Sequence, residues 1–255
     1  MKPSSQFLKN VTREAGSIIL EYFGKTGVEY TKKTDLDVVT QADLASEHYL
    51  KEQIKQKYPS HGIISEESDE YGEDAAYTWI IDPVDGTANY VNHLPVFAVM
   101  VGVMKDDEML MSCIYFPVVD ELFYAERGEG AFLNGERIRC SEQKQLDESK
   151  VVLVSFHTPL LRHVFSKISS SQKDMNILIW SLVCSAAAFS QVSCGRADVH
   201  VAANGNIWDI APGILLCEEA GCEVSFLDGS PYEPGKEGVL IVSNSSLRED
   251  VLSLV

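Results

Sequence analysis

A strand-like apolar run, Thr78-Trp79-Ile80-Ile81, empties directly into Asp82-Pro83-Val84-Asp85-Gly86-Thr87. Two carboxylates stand three residues apart at the mouth of that run. Pro83 fixes its own φ and denies the turn a backbone donor. Gly86 lets the chain come close to a ligand. With a sharp turn between them, Asp82 and Asp85 converge on one divalent cation. The Gly86 and Thr87 amides and the Thr87 hydroxyl then point where an anion would sit. Hard oxygen ligands that share an ion with a substrate phosphate suit Mg²⁺. Asp-Pro and Asp-Gly are also ordinary turn pairs. Taken alone, the segment reads equally as a strand that ends in an acidic turn.

Composition narrows the partners. The chain has 255 residues and 45% hydrophobic content, enough for one large domain or two fused subdomains. Its formal net charge of −17 argues against a nucleic-acid polymer or an anionic membrane as partner. It does not argue against a small phosphorylated substrate, because bound metal ions reverse the local field. Cys113, Cys140, Cys184, Cys194, Cys217 and Cys222 form no CxxC pair, and several lie in apolar runs. They read as small buried hydrophobes in a reduced compartment. No N-terminal stretch has the pattern of a secretory signal. No apolar run is long enough to span a bilayer. The expected location is cytoplasmic.

Helical spacing of Phe7, Val11, Ala15, Ile18, Ile19 and Tyr22 predicts an N-terminal amphipathic helix that stops at Gly24. Lys25 to Asp35 are polar and turn-prone. Asp43 to Tyr58 predicts a second helix with Leu44, Tyr49 and Ile54 on its buried side. Gly62 to Ser65 reads as a short strand before the acidic run Glu66 to Asp74. Residues 96–104 and 109–116 predict a hairpin around Lys105 to Glu108. Asp120 to Tyr124 and Gly128 to Phe132 continue the antiparallel pattern, and Asn134-Gly135 is a strong hairpin turn. Polar residues 141–150 mark a junction between subdomains 1–140 and 141–255. Beyond it, strands at Val151 to Ser155, Ile177 to Trp180, Ala197 to Val201, Val224 to Phe226 and Val239 to Val242 alternate with helices. Those helices cover about Leu160 to Ser169, Ser185 to Cys194 and Asp209 to Ala220. Helix pairs beside antiparallel strands, then alternation, give a layered α/β (α+β) architecture.

Other segments join the Asp82 turn. Ser65-Glu66-Glu67-Ser68 precedes it by about one loop. Trp208-Asp209-Ile210-Ala211-Pro212-Gly213 puts a carboxylate at a predicted helix start, and Asp43 follows Val38-Val39-Thr40-Gln41-Ala42. Singly, Asp209 and Asp43 read as helix caps. Asp69, Glu70, Glu73 and Asp74 read as a solvated acidic loop. Together with Trp79 to Tyr90 and Pro95, these segments make nearly the whole chain resemble the inositol monophosphatase family of metal-dependent, lithium-sensitive phosphatases.

That resemblance implies the roles of particular residues. Glu66, Asp82 and the Val84 carbonyl match ligands of a first metal. Asp82, Asp85 and Asp209 match ligands of a second, and Glu66 also faces a more weakly held third. Two to three Mg²⁺ ions are implied, with Mn²⁺ as a substitute. Glu67 matches an acidic position that supports the water network. Thr87 and Asp43 match the pair that orients and deprotonates the attacking water, with Asp43 accepting the threonine proton. Gly86 and Thr87 match phosphate-binding amides. Asp85, Lys32, Cys184 and Ser185 fall at substrate-facing positions, with Lys33 leaving the lysine register open by one. The chemistry is direct hydrolysis of a phosphate monoester, a reaction very slow in water. Two metal ions hold the attacking and leaving oxygens in line, and the Gly86 and Thr87 amides stabilise equatorial charge. The implied fold is an α-β-α-β-α sandwich, and the implied assembly is a homodimer. Trp79, Trp208 and His93 read as packing or rim residues.

The substrate-facing segments depart from the family pattern. Members that use inositol phosphate carry Gly-Ser/Thr-Ala-Ala before the late helix, with an arginine three residues ahead of the glycine. Here the stretch is Trp180-Ser181-Leu182-Val183-Cys184-Ser185-Ala186-Ala187. Val183 or Cys184 replaces the glycine, and Trp180 stands at the arginine position. Seven residues before Asp209, where inositol-specific members have a glutamate, stands Ala202. Losing that acceptor removes a discriminating hydrogen bond. Asn204 or Asn206 is a candidate for the lost contact. The leading expectation is hydrolysis of a small phosphorylated polyol or sugar of the inositol-1-phosphate type. Related phosphatases act on 3′-phosphoadenosine 5′-phosphate, fructose 1,6-bisphosphate, NADP or histidinol phosphate. A non-catalytic metabolite or metal-binding regulator is the alternative of another class, and retention of Asp85, Thr87 and Asp209 argues against it.

Overall fold

Trp79 and Ile81 point into one hydrophobic cluster and Ile80 into another. This alternation, apolar on both faces, is why the strand reads as an unbroken apolar run: it is covered on both sides. The computed structural model describes residues 1–25, 30–32, 38–72, 75–154, 158–203 and 205–254. In chain order its elements begin with α1 (Ser5–Tyr22), β1 (Tyr30–Lys32), β2 (Val38–Thr40), α2 (Gln41–Lys57), β3 (Gly62–Ser65), β4 (Ser68–Tyr71), β5 (Tyr77–Asp85) and α3 (Thr87–Val91). Then follow β6 (Ala98–Lys105), β7 (Glu108–Phe116), β8 (Glu121–Glu126), β9 (Gly130–Leu133) and β10 (Glu136–Ile138). The remainder comprises β11 (Lys150–Leu153), α4 (Pro159–Ser171), β12 (Leu178–Ser181), α5 (Ser185–Ser193), β13 (Val199–Ala203), α6 (Ile207–Glu219), β14 (Glu223–Phe226), β15 (Val239–Ser243) and α7 (Ser245–Leu254).

Two large sheets and three helical layers result. The first sheet has eight strands in the order β10-β9-β8-β7-β6-β5-β3-β4, antiparallel except for the β3–β5 pair. The second has five strands, β12-β11-β13-β15-β14, with β11 parallel to both its neighbours. Helices α1 and α2 cover the outer face of the first sheet. Helices α5 and α6 lie between the sheets and contact both. On the far face of the second sheet, α4 packs on β13 and α7 on β15. The order is α-β-α-β-α, the sandwich expected, with an apolar cluster at each of its four interfaces.

Local signals explain two of the hairpin turns. Asp106 and Asp107, both at positive φ, make the two-residue turn between β6 and β7. Asn134 and Gly135 do the same between β9 and β10. Several expectations need correction. Helix α2 starts at Gln41, and Leu44 is 44% exposed while Leu50 and Ile54 are buried. Position 44 falls on the solvent-exposed side of α2. Asp69 and Glu70 belong to β4, an edge strand paired with β3, rather than to a loop. Polar side chains suit an edge strand. Glu73 and Asp74 lie outside the described residues. Helices α3 and α7 were not anticipated from the sequence.

The middle layer is tightly closed. A Cβ placed on Gly213 of α6 would sit 2.4 Å from the ring of Phe189 on α5, a side chain with no exposed surface. Gly213→Ala is therefore expected to destabilise the protein by about 1–3 kcal/mol, even though alanine is the better helix former. A lowered urea midpoint at unchanged slope would register this, and an unchanged or raised midpoint would contradict it.

Candidate active site

The Asp82 turn is a bulge at the end of β5. Asp82 stands opposite Met100 of β6 and Asp85 opposite Ala98, so three steps on β5 match two on β6. The Val84 amide donates to Asp82 Oδ1 at 3.0 Å, which closes the turn around Pro83. Gly86 follows at φ +86, and a Cβ there would lie 2.8 Å from the Val96 carbonyl oxygen. No other residue type fits both the dihedral and the space. Thr87 then opens α3, and its hydroxyl donates to the Val84 carbonyl at 2.8 Å.

Asp85 is gripped by the start of α5. Its Oδ1 accepts the Ser185 amide at 3.1 Å, and its Oδ2 accepts the Ala186 amide at 2.7 Å and the Cys184 thiol at 2.8 Å. Two unpaired amides at a helix N-terminus are natural partners for a carboxylate. Cys184 is the N-cap of α5, and its sulfur also accepts from the Ala187 amide. Val183, just before it, lies at φ +50, so the glycine-like conformation belongs to Val183 and the cap to Cys184. Asn89 of α3 holds the approach to α5. Its carboxamide nitrogen donates to the carbonyls of Val96, Leu182 and Val183 at 2.8, 2.7 and 3.2 Å.

Asp209 comes from the first turn of α6. The helix begins at Ile207, so Asp209 is its third residue and does not occupy the N-cap position. Asn206 Nδ2 donates to Asp209 Oδ2 at 3.2 Å. Carboxylate oxygens of Asp82, Asp85 and Asp209 all lie within 4.8 Å of one another. Asp82 is 1% and Asp85 7% exposed. Burial, then the charges of Glu66, Asp85, Asp209 and Asp43, push the Asp82 carboxyl well above its ordinary range. Burial also raises Asp85, opposed by the Cys184 thiol and by the amides of Ala186, Ser185 and Gly86. Among the described residues no ion pair joins Asp43, Asp82 or Asp85 to a cationic side chain. Crowded hard oxygens that repel one another are a donor set for divalent cations.

Asp43 has two faces. Its Oδ2 accepts from the Thr40 amide at 2.9 Å and from the Thr40 hydroxyl, completing a capping box at the start of α2. Its Oδ1 is buried without a hydrogen-bond partner. Burial comes first and the Glu66 charge also contributes in raising its pKa to about 6. The cap reading thus applies to one oxygen, and the other is left for a ligand or water. The Thr87 hydroxyl does not donate to Asp43, as the expected relay requires; its proton goes to Val84.

The remaining expected residues are placed as follows. Glu66 and Glu67 form the turn between β3 and β4, and the Glu66 amide donates to the Ile81 carbonyl at 3.2 Å. The Ser65 hydroxyl beside them is buried without a partner. Lys32 lies on β1, while Lys33 and Asn204 lie outside the described residues. Cys184 is 1% exposed and binds Asp85, so it serves the carboxylate instead of meeting substrate. Trp79 is fully buried and donates to His61. Trp208 packs against the inter-sheet cluster, and His93 sits by Phe23 at positive φ. Asn89 carries no signal of its three carbonyl bonds in the sequence, because two of its partners lie 93 and 94 positions away.

Known proteins resemble this chain in sequence and in fold. The model of the inositol monophosphatase family matches residues 1–255. Inositol monophosphatase 1 of Rattus norvegicus is 33% identical over 94% of this chain and 90% of its own. A histidinol-phosphatase of Chlorobaculum parvum is 32% identical over 87% and 85%. The crystal structure of extragenic suppressor protein suhB from Bartonella henselae superposes with a TM-score of 0.91, at 29% identity over 98% and 96%.

Two expectations follow. Asp43 binds its proton more tightly when folded, so its stabilising contribution is complete below the unfolded value of 3.8 and is lost as pH rises through about 6. In metal-free protein, Asp43→Asn should lose less stability than the parent between those values, read as Tm against pH; parallel curves would contradict it. A β-branched residue at positive φ is strained. Val183→Gly should therefore raise the urea midpoint, by about 0.5–1 kcal/mol once the greater freedom of unfolded glycine is counted.

Proposed function

The chain belongs to the inositol monophosphatase family and is a phosphoric monoester hydrolase, and from that premise we propose how its residues divide the work. The observation that carries the reading is the convergence of Asp82, Asp85 and Asp209 at the bulge end of β5. Glu66, Asp82, the Val84 carbonyl, Asp85 and Asp209 would hold two to three Mg²⁺ ions, with Mn²⁺ able to replace them. Mutual repulsion of the carboxyls and the unpartnered oxygens of Asp43 and Ser65 support this fit. Bound there, the ions would neutralise phosphate charge and ease deprotonation of water.

The protein groups supply position and proton transfer. The Gly86 turn and the start of α3 would bring the Thr87 amide to the phosphate. Because the Thr87 hydroxyl gives its proton to Val84, its lone pairs remain to accept from the attacking water. Asp43 Oδ1, buried with no hydrogen-bond partner of its own, would receive the water proton. Glu67 would order neighbouring water, and Lys32 would stand by the incoming phosphate. Attack is direct, with no covalent enzyme intermediate. Substrates are phosphate monoesters of small alcohols, the inositol-1-phosphate type included. Lithium sensitivity, a homodimer, a cytoplasmic location and a subdomain division after residue 140 complete the proposal. They rest on the family likeness and on the interval between β10 and β11.

The test is hydrolysis of a panel of small phosphate monoesters, read as inorganic phosphate. Activity should require Mg²⁺, vanish in EDTA and return when Mg²⁺ is restored. Asp82→Asn should lower kcat by about 10²-fold or more, yet raise the stability of the metal-free protein by removing a buried like charge. No release from any ester with Mg²⁺ present would refute the reading, and so would full activity of the variant.

A further inference from the structure

Helix α6 ends in a Schellman turn. The Cys222 amide donates to the Cys217 carbonyl at 2.9 Å and the Gly221 amide to the Glu218 carbonyl at 3.0 Å, with Gly221 at φ +91. Such a turn folds the residue after the glycine back over the last turn of its own helix. The side chains of Cys222 and Cys217 meet there and hydrogen-bond. A third cysteine arrives from a distant part of the chain. Cys140 follows β10, and its amide donates to the Ala220 carbonyl at 3.0 Å. Its sulfur lies 3.9 Å from a Cβ placed on Gly221, and its side chain hydrogen-bonds to that of Cys222. The three sulfurs lack the mutual 4.8 Å spacing of the three aspartate oxygens, so they make a chain of contacts with Cys222 in the middle and not a chelate. Cys217 is fully buried and donates to the Phe189 carbonyl at 3.3 Å. Cys222 is buried, Cys140 is partly exposed, and both are free thiols.

The geometry points to Cys140 and Cys222 as a pair that closes into a disulfide, with a low-molecular-weight disulfide such as oxidised glutathione as the oxidant. Cys140, the more exposed of the two, attacks as thiolate at one sulfur of the oxidant and releases one glutathione. The Cys222 thiolate then attacks the Cys140 sulfur and releases the second. One S–S bond breaks in the oxidant and one forms within the chain. Two electrons pass from the cysteines to glutathione, and the two cysteine protons end on the two glutathione thiols. The bond to Cys222, then burial, holds the Cys140 thiol above its ordinary range. The bond from Cys140 lowers Cys222, but Cys217 and burial outweigh it and leave that thiol well above its range too. Both keep their protons at neutral pH, so the exchange quickens as pH rises. Strand β10 is an edge of the first sheet and β14, which starts at Glu223, an edge of the second. The bond therefore joins the two sheets at their edges and clamps the end of α6 opposite to Asp209.

The experiment incubates the reduced full chain with excess oxidised glutathione at about pH 8.5, where thiolate is more abundant. The protein should lose the mass of two hydrogens, fall from six titratable thiols to four after denaturation, and recover all six in dithiothreitol. Peptide mapping without reductant should recover residues 140 and 222 in one linked species. Linked protein should melt about 4 °C or more above the reduced form. Cys222→Ser should stop at a glutathione adduct on Cys140, and the map of the parent decides alone if that variant fails to fold. Six thiols remaining in the parent, a lasting glutathione adduct on it, or linkage of any other pair overturns the proposal. Linked protein that melts below the reduced form also overturns it, because the native positions then do not accommodate the bond.

Discussion

Five carboxyl groups that repel one another set the terms for this structure. Asp82 feels the charges of Glu66, Asp85, Asp209 and Asp43 on top of its own burial. Nothing in the folding of a chain favours such a gathering, so the backbone must impose it. The bulge in β5 fixes Asp82 and Asp85, the amides of α5 hold Asp85, and the first turn of α6 delivers Asp209. Each of these elements is anchored in apolar layers on both sides. The stability of the sandwich offsets the repulsion, and a cation relieves it.

The layers also explain why different parts of the site come from different sheets. The antiparallel sheet supplies a strand end that can be bulged and turned, through its β5–β6 ladder. The second sheet supplies parallel strands, β11 and β13, whose ends flank a crevice beside Asp209. Helices α5 and α6 lie between them with their first turns at the site. Asn89 ties the two halves by reaching from α3 to the carbonyls that precede α5.

Trp79 to Thr87 was legible because its information is local: a two-face apolar strand, a proline, a glycine and two aspartates in fixed order. The hairpin turns at Asp106-Asp107 and Asn134-Gly135 were legible for the same reason. The two roles of Asp43 were not both visible. Its capping box with Thr40 is local, but its buried free oxygen depends on Glu66 and on how α2 meets β5. Leu44 was misplaced because α2 has a weak apolar pattern, and several of its inward positions are polar, among them Ser46 and Glu47. The edge strand β4 was hidden by its acidic residues, and the positive φ of Val183 by a β-branched side chain where glycine is usual.

Cys184 gives the site a chemical asymmetry. A sulfur stands 2.8 Å from a carboxylate oxygen in a cluster otherwise made of hard donors. Burial and the Asp85 charge hold the thiol well above its ordinary range, so it keeps its proton; hard ions such as Mg²⁺ have little affinity for sulfur. A thiophilic ion such as cadmium or mercury competes for that proton and gains a soft ligand once it is displaced. Between hard and thiophilic cations, the Cys184 sulfur beside Asp85 would then favour the latter.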